Sequence, residues 1–478
     1  MIRHEYWKTM GAIFVLCGAM AIAAPAQTFT TLVSFDGTNG GSPTASLVQG
    51  PDGSFYGAST GAGAYGGGTV FKVTPEGSLT TLYNFCAQHG CADGAYPEGA
   101  LALGTDGNFY GTTLHGGNNV CEYQCGTVFR ITAEGKLTTL HRFNGNDGSN
   151  PVAGLLQAAD GNFYGTTVGD TLFKITREGN LTTLYTFCAQ SDCADGYQPT
   201  GNLVQAADGN FYGTTNGGGL GTNCGFSLLY GCGTVFRITP NGTLKTLHSF
   251  CEGDCSDGAF PYAGLLLASD GNFYGTTEST VFKITPAGRL TTIFTFPCQR
   301  MCEDGWVPYG ELIQGTDGAL YGTNSSGGAN NHGTVFKITT QGSLTTLHNF
   351  DGTDGDFPIS GILQATSGVF YGTAFQGGSN SNACGAYGCG TVFSLSTGLG
   401  PFVAFVRGYG RVGQTGGILG QGFTGTTNVS LNGTPASYTV VSDTFIRATV
   451  PPGATTGFAT VTTPSGTLTS NVPFRVIK

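Results

Sequence analysis

The chain has 478 residues, of which 82 are glycine and only 10% are charged, and its formal net charge at pH 7 is −10. This length exceeds what one ordinary hydrophobic core supports, whereas a repeat array can be longer because each unit packs only on its neighbours. The sparse, acidic charge argues against nucleic acids and anionic membranes as partners.

Residues 1–26 have the pattern of a secretory signal peptide. Arg3 and Lys8 form a basic region, the segment Met10–Ala23 is apolar, and Ala26 ends a run of small residues suited to cleavage. The apolar stretch is short for a membrane-spanning helix, and no later segment is long and apolar enough to be one. The sequence therefore predicts an exported protein without membrane insertion, which is secreted, periplasmic or located at the cell surface.

Seven copies of one repeat follow. Each copy contains an aliphatic run, a tight turn usually of the Asp-Gly type, a Tyr-Gly motif preceded by Phe in six copies and by Leu320 in one, and then a segment similar to Gly-Thr-Val-Phe-Lys-Ile-Thr. The Tyr of the motif recurs at intervals of 47 to 62 residues, at Tyr56, Tyr110, Tyr164, Tyr212, Tyr274, Tyr321 and Tyr371. This period is typical of stacked or circular all-β repeats.

The third copy illustrates the predicted strands, which are Gly154–Ala158, Phe163–Thr167, Thr171–Thr176 and Leu181–Phe187. Four short antiparallel strands in each of seven copies predict a seven-bladed β-propeller. The segment Thr28–Phe35 matches a fourth strand, which the seventh copy lacks. We therefore expect the N-terminal strand to complete the last blade and close the ring.

The loops are expected to divide between two faces of this ring. The turns between the first and second strands, and between the third and fourth, are short and uniform, and they define the plain face. The connections between the second and third strands, and from one copy to the next, vary in length and define the variable face. Function is expected on the variable face, because binding residues concentrate on loops that a rigid scaffold positions.

Every cysteine that follows the signal segment has a close sequence partner in a variable-face loop. Such pairs in an exported protein predict disulfides, and the lack of nearby His argues against zinc, while pairing between neighbouring loops stays open. The predicted pairs are Cys86 with Cys91, Cys121 with Cys125, Cys188 with Cys193, Cys224 with Cys232, Cys251 with Cys255, Cys298 with Cys302, and Cys384 with Cys389.

Recurring charged residues are interpreted as scaffold. An Asp in the first turn and a Lys or Arg in the third strand occur together in six copies, and both are Ser in the seventh, which predicts a contact within each of six blades. The six pairs are Asp52 with Lys72, Asp106 with Arg130, Asp160 with Lys174, Asp208 with Arg237, Asp270 with Lys283, and Asp317 with Lys337. His141, His248 and His348 replace a Tyr of the fourth strand and are assigned to the scaffold too.

Candidate ligand-binding residues are variable-face aromatics and one carboxylate. Aromatic rings stack on sugar faces, although those next to recurring prolines are expected to wedge between blades instead. The candidates are Tyr96, Tyr123, Tyr197, Tyr230, Phe260, Trp306, Tyr309 and Glu278. His89 and His115 suggest a metal or acid-base site, but isolated loop histidines are more often solvated. No catalytic residue, metal site or cofactor is predicted.

From about Gly400 the repeat pattern stops and short strands at sandwich spacing follow. They are predicted at Pro401–Arg407, Gly416–Gly420, Thr427–Leu431, Ser437–Val441, Phe445–Val450, Gly457–Thr462 and Asn471–Ile477. Residues 416–476 resemble the IPT/TIG immunoglobulin-like family, which implies an extracellular β-sandwich that spaces or binds. The predicted domains are a signal peptide at 1–26, the propeller at 27–397 and the sandwich at 398–478.

The repeat units, such as GLLQAADGNFYGTT and CGTVFRITPNGTLKTLHSF, resemble the GloVer tandem repeats of bacterial surface proteins, a choice-of-anchor family. That resemblance implies export and no defined activity. Because no hydrophobic tail or sorting motif precedes Lys478, release or periplasmic retention is expected. The units also resemble streptogramin-lyase propellers distantly, but the His and Glu site of that family has no match here.

These patterns predict a monomeric, non-enzymatic exported scaffold that binds an extracellular glycan or protein through its disulfide-bridged variable face. The alternative is a propeller enzyme, similar to streptogramin-type lyases or with another carbohydrate-active function. A pocket that gathers His89, His115 or Glu278 would favour the enzyme, and aromatic rings on an open rim would favour the binder.

Overall fold

The computed structural model describes residues 27–117, 125–221, 224, 231–297, 303–379, 384–385 and 387–477. These residues form β-strands, turns and two short 3-10 segments, His89–Cys91 and Ser191–Cys193. None of the described helices has the length and apolar character needed to cross a membrane. The protein is therefore all-β in its described part.

The described repeat region forms seven antiparallel sheets of four strands each, here called repeat sheets 1 to 7. The chain begins with β1 (Thr28–Ser34). Repeat sheet 1 contains β2 (Val48–Gln49), β3 (Phe55–Ser59), β4 (Thr69–Val73) and β5 (Leu79–Asn84); sheet 2 contains β6 (Ala102–Leu103), β7 (Phe109–Thr113), β8 (Thr127–Ile131) and β9 (Leu137–Arg142); sheet 3 contains β10 (Leu156–Gln157), β11 (Phe163–Thr166), β12 (Thr171–Ile175) and β13 (Leu181–Thr186).

The later sheets repeat this order. Sheet 4 contains β14 (Val204–Gln205), β15 (Phe211–Thr215), β16 (Thr234–Ile238) and β17 (Leu244–Ser249); sheet 5 contains β18 (Leu266–Leu267), β19 (Phe273–Thr276), β20 (Thr280–Ile284) and β21 (Leu290–Thr295); sheet 6 contains β22 (Ile313–Gln314), β23 (Leu320–Asn324), β24 (Thr334–Ile338) and β25 (Leu344–Asn349); sheet 7 contains β26 (Leu363–Gln364), β27 (Phe370–Ala374) and β28 (Thr391–Ser396) together with β1.

The glycine of the Tyr-Gly motif is fixed by packing within each sheet. In repeat sheet 3, Gly165 pairs with Phe173 on the neighbouring strand. A Cβ at Gly165 would lie 2.7 Å from the Cζ atom of Phe173, closer than real Cβ contacts come. The motif therefore needs Gly because the ring of the third strand occupies the space of its side chain.

Neighbouring sheets contact each other through the Tyr of this motif. The ring of Tyr56 stacks on Phe109 of the next sheet with centroids 4.1 Å apart. The ring of Tyr371, in repeat sheet 7, makes the same contact with Phe55 of repeat sheet 1 at 3.9 Å. The last sheet thus packs on the first.

The N-terminal strand supplies the fourth strand of repeat sheet 7. β1 pairs antiparallel with β28, with Thr30 opposite Ser394. Phe35, which follows β1, is fully buried and packs its ring against Phe71 of repeat sheet 1 with centroids 5.2 Å apart. This strand therefore links the two ends of the repeat region.

Buried glutamines at the ends of the first strands join neighbouring sheets. Gln205 accepts a hydrogen bond from the backbone N–H of Ala159 at 2.9 Å, and Gln49 accepts one from the N–H of Thr366 at 3.0 Å, which links sheet 7 to sheet 1. In sheets 2 and 5 the position is Leu instead, as Leu103 and Leu267. No sequence pattern identified these bonds in advance.

The residues after the repeats form a β-sandwich. One sheet has the order β29 (Ala404–Phe405), β31 (Thr415–Leu419), β35 (Phe445–Thr449), β34 (Tyr438–Ser442); the other has the order β33 (Thr434–Pro435), β32 (Asn428–Leu431), β36 (Ala459–Thr463), β37 (Gly466–Thr469); and β30 (Tyr409–Gly410) pairs in parallel with β38 (Arg475–Val476). Ile418 and Ile446 of the first sheet pack with Val429 and Val461 of the second to form its core. The sequence predicted most of these strands but not β30, β33 or β37.

The predicted contact between Asp and a base is confirmed in the four repeat sheets that carry Lys. The distances from Lys Nζ to Asp Oδ2 are 2.6 Å for Lys72 with Asp52, 2.8 Å for Lys174 with Asp160, 2.9 Å for Lys283 with Asp270, and 2.6 Å for Lys337 with Asp317. The prediction is wrong for the two sheets with Arg, because neither Arg130 nor Arg237, both within the described residues, pairs with its Asp. Asp106 instead accepts hydrogen bonds from Tyr110 and Asn108, each at 2.8 Å.

The histidines of the fourth strands hold loop carboxylates, in agreement with their scaffold assignment. The Nε2 atoms of His141, His248 and His348 lie 2.8 to 2.9 Å from Asp147, Asp257 and Asp354. In repeat sheet 1 the hydroxyl of Tyr83 donates to Asp93 at 2.8 Å in the same way. His and Tyr therefore perform one structural task at this position.

Candidate binding site on the variable face

A cavity of about 120 Å³ is lined by all seven repeat sheets, through the three residues that follow each recurring proline. We call it the channel mouth. Its lining segments are 44–46, 98–100, 152–154, 200–202, 262–264, 309–311 and 359–361. Because these segments lead from the variable connections into the first strands, the mouth belongs to the variable face.

A strained turn positions each lining segment. The residue before the proline has a φ between 53° and 58° in every copy, at Ser42, Tyr96, Asn150, Gln198, Phe260, Val307 and Phe357. This left-handed conformation is costly for residues other than Gly, so the surrounding structure must impose it. At Tyr96 it is held by two backbone hydrogen bonds, from its N–H to Gly67 at 2.8 Å and to its C=O from Leu114 at 2.9 Å.

The prolines themselves fill the space between sheets. A Cβ at Gly68 would lie 2.8 Å from the Cδ of Pro97, and a Cβ at Gly390 would lie 2.7 Å from the Cδ of Pro43. At the first of these junctions the proline therefore takes the wedge role expected of Tyr96, which is itself 41% exposed. Pro43 follows Ser42, where no aromatic wedge was predicted.

Glu311 is one of two carboxylates in the channel mouth. Burial raises its pKa, and hydrogen bonds from the Asn202 side chain and from the backbone N–H groups of Asn202 and Gly264 oppose that shift. Asn202 in turn accepts a hydrogen bond from the N–H of Gly154 at 2.6 Å. These contacts link repeat sheets 6, 5, 4 and 3 and satisfy the Glu311 carboxylate within the chain.

Glu98 is the second carboxylate, and its surroundings are different. Burial raises the pKa of Glu98, and among the described residues its carboxyl group makes no hydrogen bond or ion pair. Its backbone C=O accepts a hydrogen bond from the hydroxyl of Thr44 at 3.3 Å, which fixes the segment. The mouth lining in the described part of the chain includes no Lys, Arg or His.

Tyr262 and Tyr309 line one side of the mouth and Phe357 packs next to Tyr309, and we call these three residues the aromatic arc. The ring centroids of Tyr262 and Tyr309 lie 4.6 Å apart, and those of Tyr309 and Phe357 lie 6.4 Å apart. Burial, together with the nearby Tyr262 and Glu278, raises the pKa of Tyr309 to about 12. Burial also raises the pKa of Glu278. The arc thus offers partly exposed rings beside a carboxylate.

Of the residues selected from the sequence, Tyr309 lines the channel mouth and Glu278 lies beside it. Tyr96 is 41% exposed on an outer loop, and its ring contacts His115 with centroids 5.5 Å apart. Phe260 is buried. The structure therefore distributes these candidates rather than bringing them together.

The other candidates lie away from the mouth or outside the described residues. Tyr197 and Trp306 are half-buried in loops, where they form bridges with Gly217 and Ser326. His89 and His115 are not among the residues that line the mouth. Tyr123 and Tyr230 lie outside the described residues.

Sequence reasoning missed Glu98, Asn202, Tyr262 and Glu311. A usable signal was present, because each copy has a proline, a variable residue, a small residue and a second variable residue before its aliphatic run. Two positions that vary between copies of an otherwise regular repeat indicate where binding residues can be placed.

Disulfides brace the loops of the variable face. The bonds join Cys86 to Cys91, Cys188 to Cys193, Cys224 to Cys232, Cys251 to Cys255, and Cys384 to Cys389. These are five of the seven pairs predicted from the sequence. Cys125 is also disulfide-bonded, whereas Cys121, Cys298 and Cys302 lie outside the described residues.

The opposite end of the first strands, which we call the capped end, is covered by the C-terminal sandwich. The buried hydroxyl of Tyr409 donates to the C=O of Gln157 at 2.6 Å, and Arg407 donates to the C=O of Ala158 at 3.3 Å. Arg475 donates to the C=O of Leu267 at 3.5 Å. Burial raises the pKa of Tyr409 and lowers the pKa of Arg407.

Two solved structures illustrate the likeness in fold. A streptogramin B lyase structure matches with a TM-score of 0.51 at 14% identity, covering 77% of this chain and 97% of that chain. The extracellular domain of a one-component system from B. thetaiotaomicron matches with a TM-score of 0.53 at 12% identity, covering 92% of this chain and 47% of that chain. At these identities the likeness shows a propeller-like all-β fold.

Sequence comparison identifies the family. No curated protein matched the chain. The model of the Gloeobacter/Verrucomicrobia repeat matches residues 8–228, 119–297 and 277–429, which together span most of the sequence. The chain therefore belongs to the Gloeobacter/Verrucomicrobia repeat family.

Proposed function

We propose that the chain is an exported scaffold in which residues 27–397 form a seven-bladed propeller closed by β1, followed by an immunoglobulin-like domain of the IPT/TIG type at 398–478. Closure is supported by the pairing of β1 with β28 and by the stacking of Tyr371 on Phe55. It is further supported by the single cavity that all seven repeat sheets line.

Closure is tested by a variant that lacks residues 27–35. The deletion leaves the edge of β28 unpaired and removes Phe35 from its buried position. We therefore expect the cooperative unfolding transition to be lost. Thr30→Ala, on an exposed side chain of the same strand, is the control and should unfold like the unaltered chain. An unchanged transition after the deletion would contradict closure by β1.

Export is supported by the disulfides, because such bonds persist in oxidising compartments. We expect N-terminal sequencing of the protein recovered from the producing cells to begin at Gln27. Recovery of the chain from the cytosol with residues 1–26 attached would contradict this proposal.

The proposed activity is non-enzymatic binding of a glycan at the channel mouth, within the disulfide-braced variable face. The observation that carries it is the convergence of all seven sheets on one polar cavity with the aromatic arc on its side. Tyr rings supply flat apolar faces for sugar rings, and their hydroxyls supply hydrogen bonds.

A glycan array with residues 27–478 tests this activity. We expect binding to a subset of sugars, its loss in Tyr309→Ala, and its retention in Tyr65→Ala, which alters a 60% exposed loop tyrosine outside the mouth. A flat response across all sugars would contradict a carbohydrate ligand. Binding that survives Tyr309→Ala would contradict the position of the site.

A second candidate function is catalysis on such a sugar. Glu98 and Glu278 favour it, because carboxyl groups with a raised pKa in or beside a cavity are typical of general acids. Incubation of each bound sugar with the protein distinguishes the two functions. The binding proposal expects the sugar to be recovered intact, and turnover that Glu98→Gln abolishes would establish the enzyme instead.

A further inference from the structure

We propose that the channel mouth recognises a protonated amine, such as the free amino group of an amino sugar, with Glu98 as its counter-ion and the aromatic arc against its opposite side. This inference rests on the proposed function, since it specifies the ligand class of the same site. It concerns the charge of the ligand, which the repeat pattern alone does not determine.

The charges of the mouth exclude an anionic ligand. Glu98 and Glu311 both line the cavity, Glu278 lies beside the arc, and the described lining holds no basic side chain. The chain as a whole carries a net charge of −10. A phosphate, sulfate or carboxylate would therefore meet like charge without a basic side chain in the described lining to compensate it.

The difference between the two carboxylates identifies Glu98 as the group that a ligand would satisfy. Glu311 is held by Asn202 and by the N–H of Gly264, so its hydrogen-bonding capacity is used inside the protein. Glu98 is half-buried and has no such partner among the described residues. A partly buried carboxylate without a partner is costly, and a ligand ammonium group would remove that cost.

The aromatic arc supplies the second half of the recognition. Glu98, Tyr262 and Tyr309 line the same cavity, and in the proposed closed ring repeat sheet 2, which carries Glu98, lies opposite repeat sheets 5 and 6, which carry the two Tyr residues. Aromatic faces attract cations, and more strongly where water is excluded. A cavity of about 120 Å³ has room for several water molecules, and therefore for a small head group.

Titration calorimetry with glucosamine and N-acetylglucosamine tests the inference on residues 27–478. The two probes have the same sugar ring, but only glucosamine carries a free amine. The pH of the experiment is chosen so that this amine is protonated. We expect glucosamine to bind at least about tenfold more tightly, since hydrogen bonds to charged groups carry this much. Glu98→Gln should abolish the preference at nearly unchanged shape, and Tyr309→Leu should weaken glucosamine binding.

Glu134→Gln is the matched control, because it removes the same charge from an exposed turn on the plain face of repeat sheet 2. It should keep the preference for glucosamine. Equal affinities, tighter binding of the neutral sugar, no binding of either probe, or a preference that survives Glu98→Gln would overturn the inference. Neutral sugars that bind in a Tyr309-dependent manner would leave the proposed function standing, whereas no Tyr309-dependent ligand on the array would remove both.

Discussion

The two ends of the first strands are built by the same seven copies, yet their chemistry differs. At the capped end, backbone C=O groups of Gln157 and Ala158 accept hydrogen bonds from Tyr409 and Arg407, so protein covers protein. At the channel mouth, Glu98 has no partner among the described residues and the aromatic rings stay partly exposed. The repeat fixes the geometry of both ends, but the sandwich covers one end, and the residues that vary between copies line the other.

The largest effect is expected when the contact between the sandwich and the capped end is removed. Tyr409 is 7% exposed, so Tyr409→Ala should cost about 3–5 kcal/mol of the interaction that holds the sandwich on the repeats. Tyr409→Phe, which loses only the hydrogen bond to Gln157, should cost about 1 kcal/mol. Denaturant unfolding combined with limited proteolysis near residues 398–403 measures both effects. Equal stability of Tyr409→Ala and the unaltered chain would show that this end is not held by Tyr409.

A second variant tests whether the ring that both ends share is continuous between repeat sheets 7 and 1. Gln49→Leu leaves the N–H of Thr366 without its acceptor, which should cost about 1–3 kcal/mol. Gln205→Leu removes the equivalent bond between sheets 3 and 4 and is the matched control. Similar losses in thermal unfolding are expected. If Gln205→Leu lowered the melting temperature and Gln49→Leu did not, repeat sheets 7 and 1 would not be joined by this bond.

At the channel mouth, substitution should raise the stability of the fold rather than lower it, because the unpaired Glu98 carboxylate is destabilising. Burial raises the pKa of Glu98 above its ordinary value of 4.5, so the folded state holds this proton more tightly than the unfolded state and loses stability as the pH rises through that window. Glu98→Gln should therefore raise the melting temperature slightly at pH 7, and the gain should vanish below about pH 4.5. A loss of stability at pH 7 would mean that Glu98 has a partner.

The smallest effect is expected on the plain face outside the cap. Hydrogen bonds from Lys283, Asn272 and Tyr274 outweigh burial and lower the pKa of Asp270 to about 2. The resulting stabilisation is present above about pH 4 and is lost as the pH falls towards the folded pKa. Lys283→Ala should cost less than about 1 kcal/mol at pH 7 and raise the pKa of Asp270, as an NMR titration would measure. Arg237→Ala should cost less stability than Lys283→Ala in denaturant unfolding, and an equal cost would contradict the difference between the Lys and Arg sheets.

The sequence predicted the repeated four-stranded sheets well, because periodic Tyr-Gly motifs and Gly turns carry their own local geometry. The pairing of β1 with β28 was predictable too, since Thr28–Phe35 copies a fourth strand. The Arg sheets escaped prediction because the sequence pattern treats Lys and Arg as equivalent bases, whereas only the Lys Nζ atoms lie next to the turn carboxylate. That distinction depends on side-chain geometry rather than on charge.

The site was harder to predict than the fold. Tyr309 was selected as a loop aromatic, whereas Glu98 and Glu311 were not selected at all, although both occupy the variable positions after the recurring proline. Their convergence depends on the left-handed turn at the residue before that proline, which the residue types do not announce. The cover that Tyr409 forms on the opposite end depends on tertiary contacts between distant segments, and no local pattern encodes them.

We propose that the ligand binds at the channel mouth and not at the capped end. One glycan array with Tyr309→Ala, Tyr409→Phe and the unaltered protein distinguishes the two ends. Tyr309→Ala should lose binding, while Tyr409→Phe should keep the full binding pattern. Binding that persists in Tyr309→Ala and disappears in Tyr409→Phe would contradict this proposal.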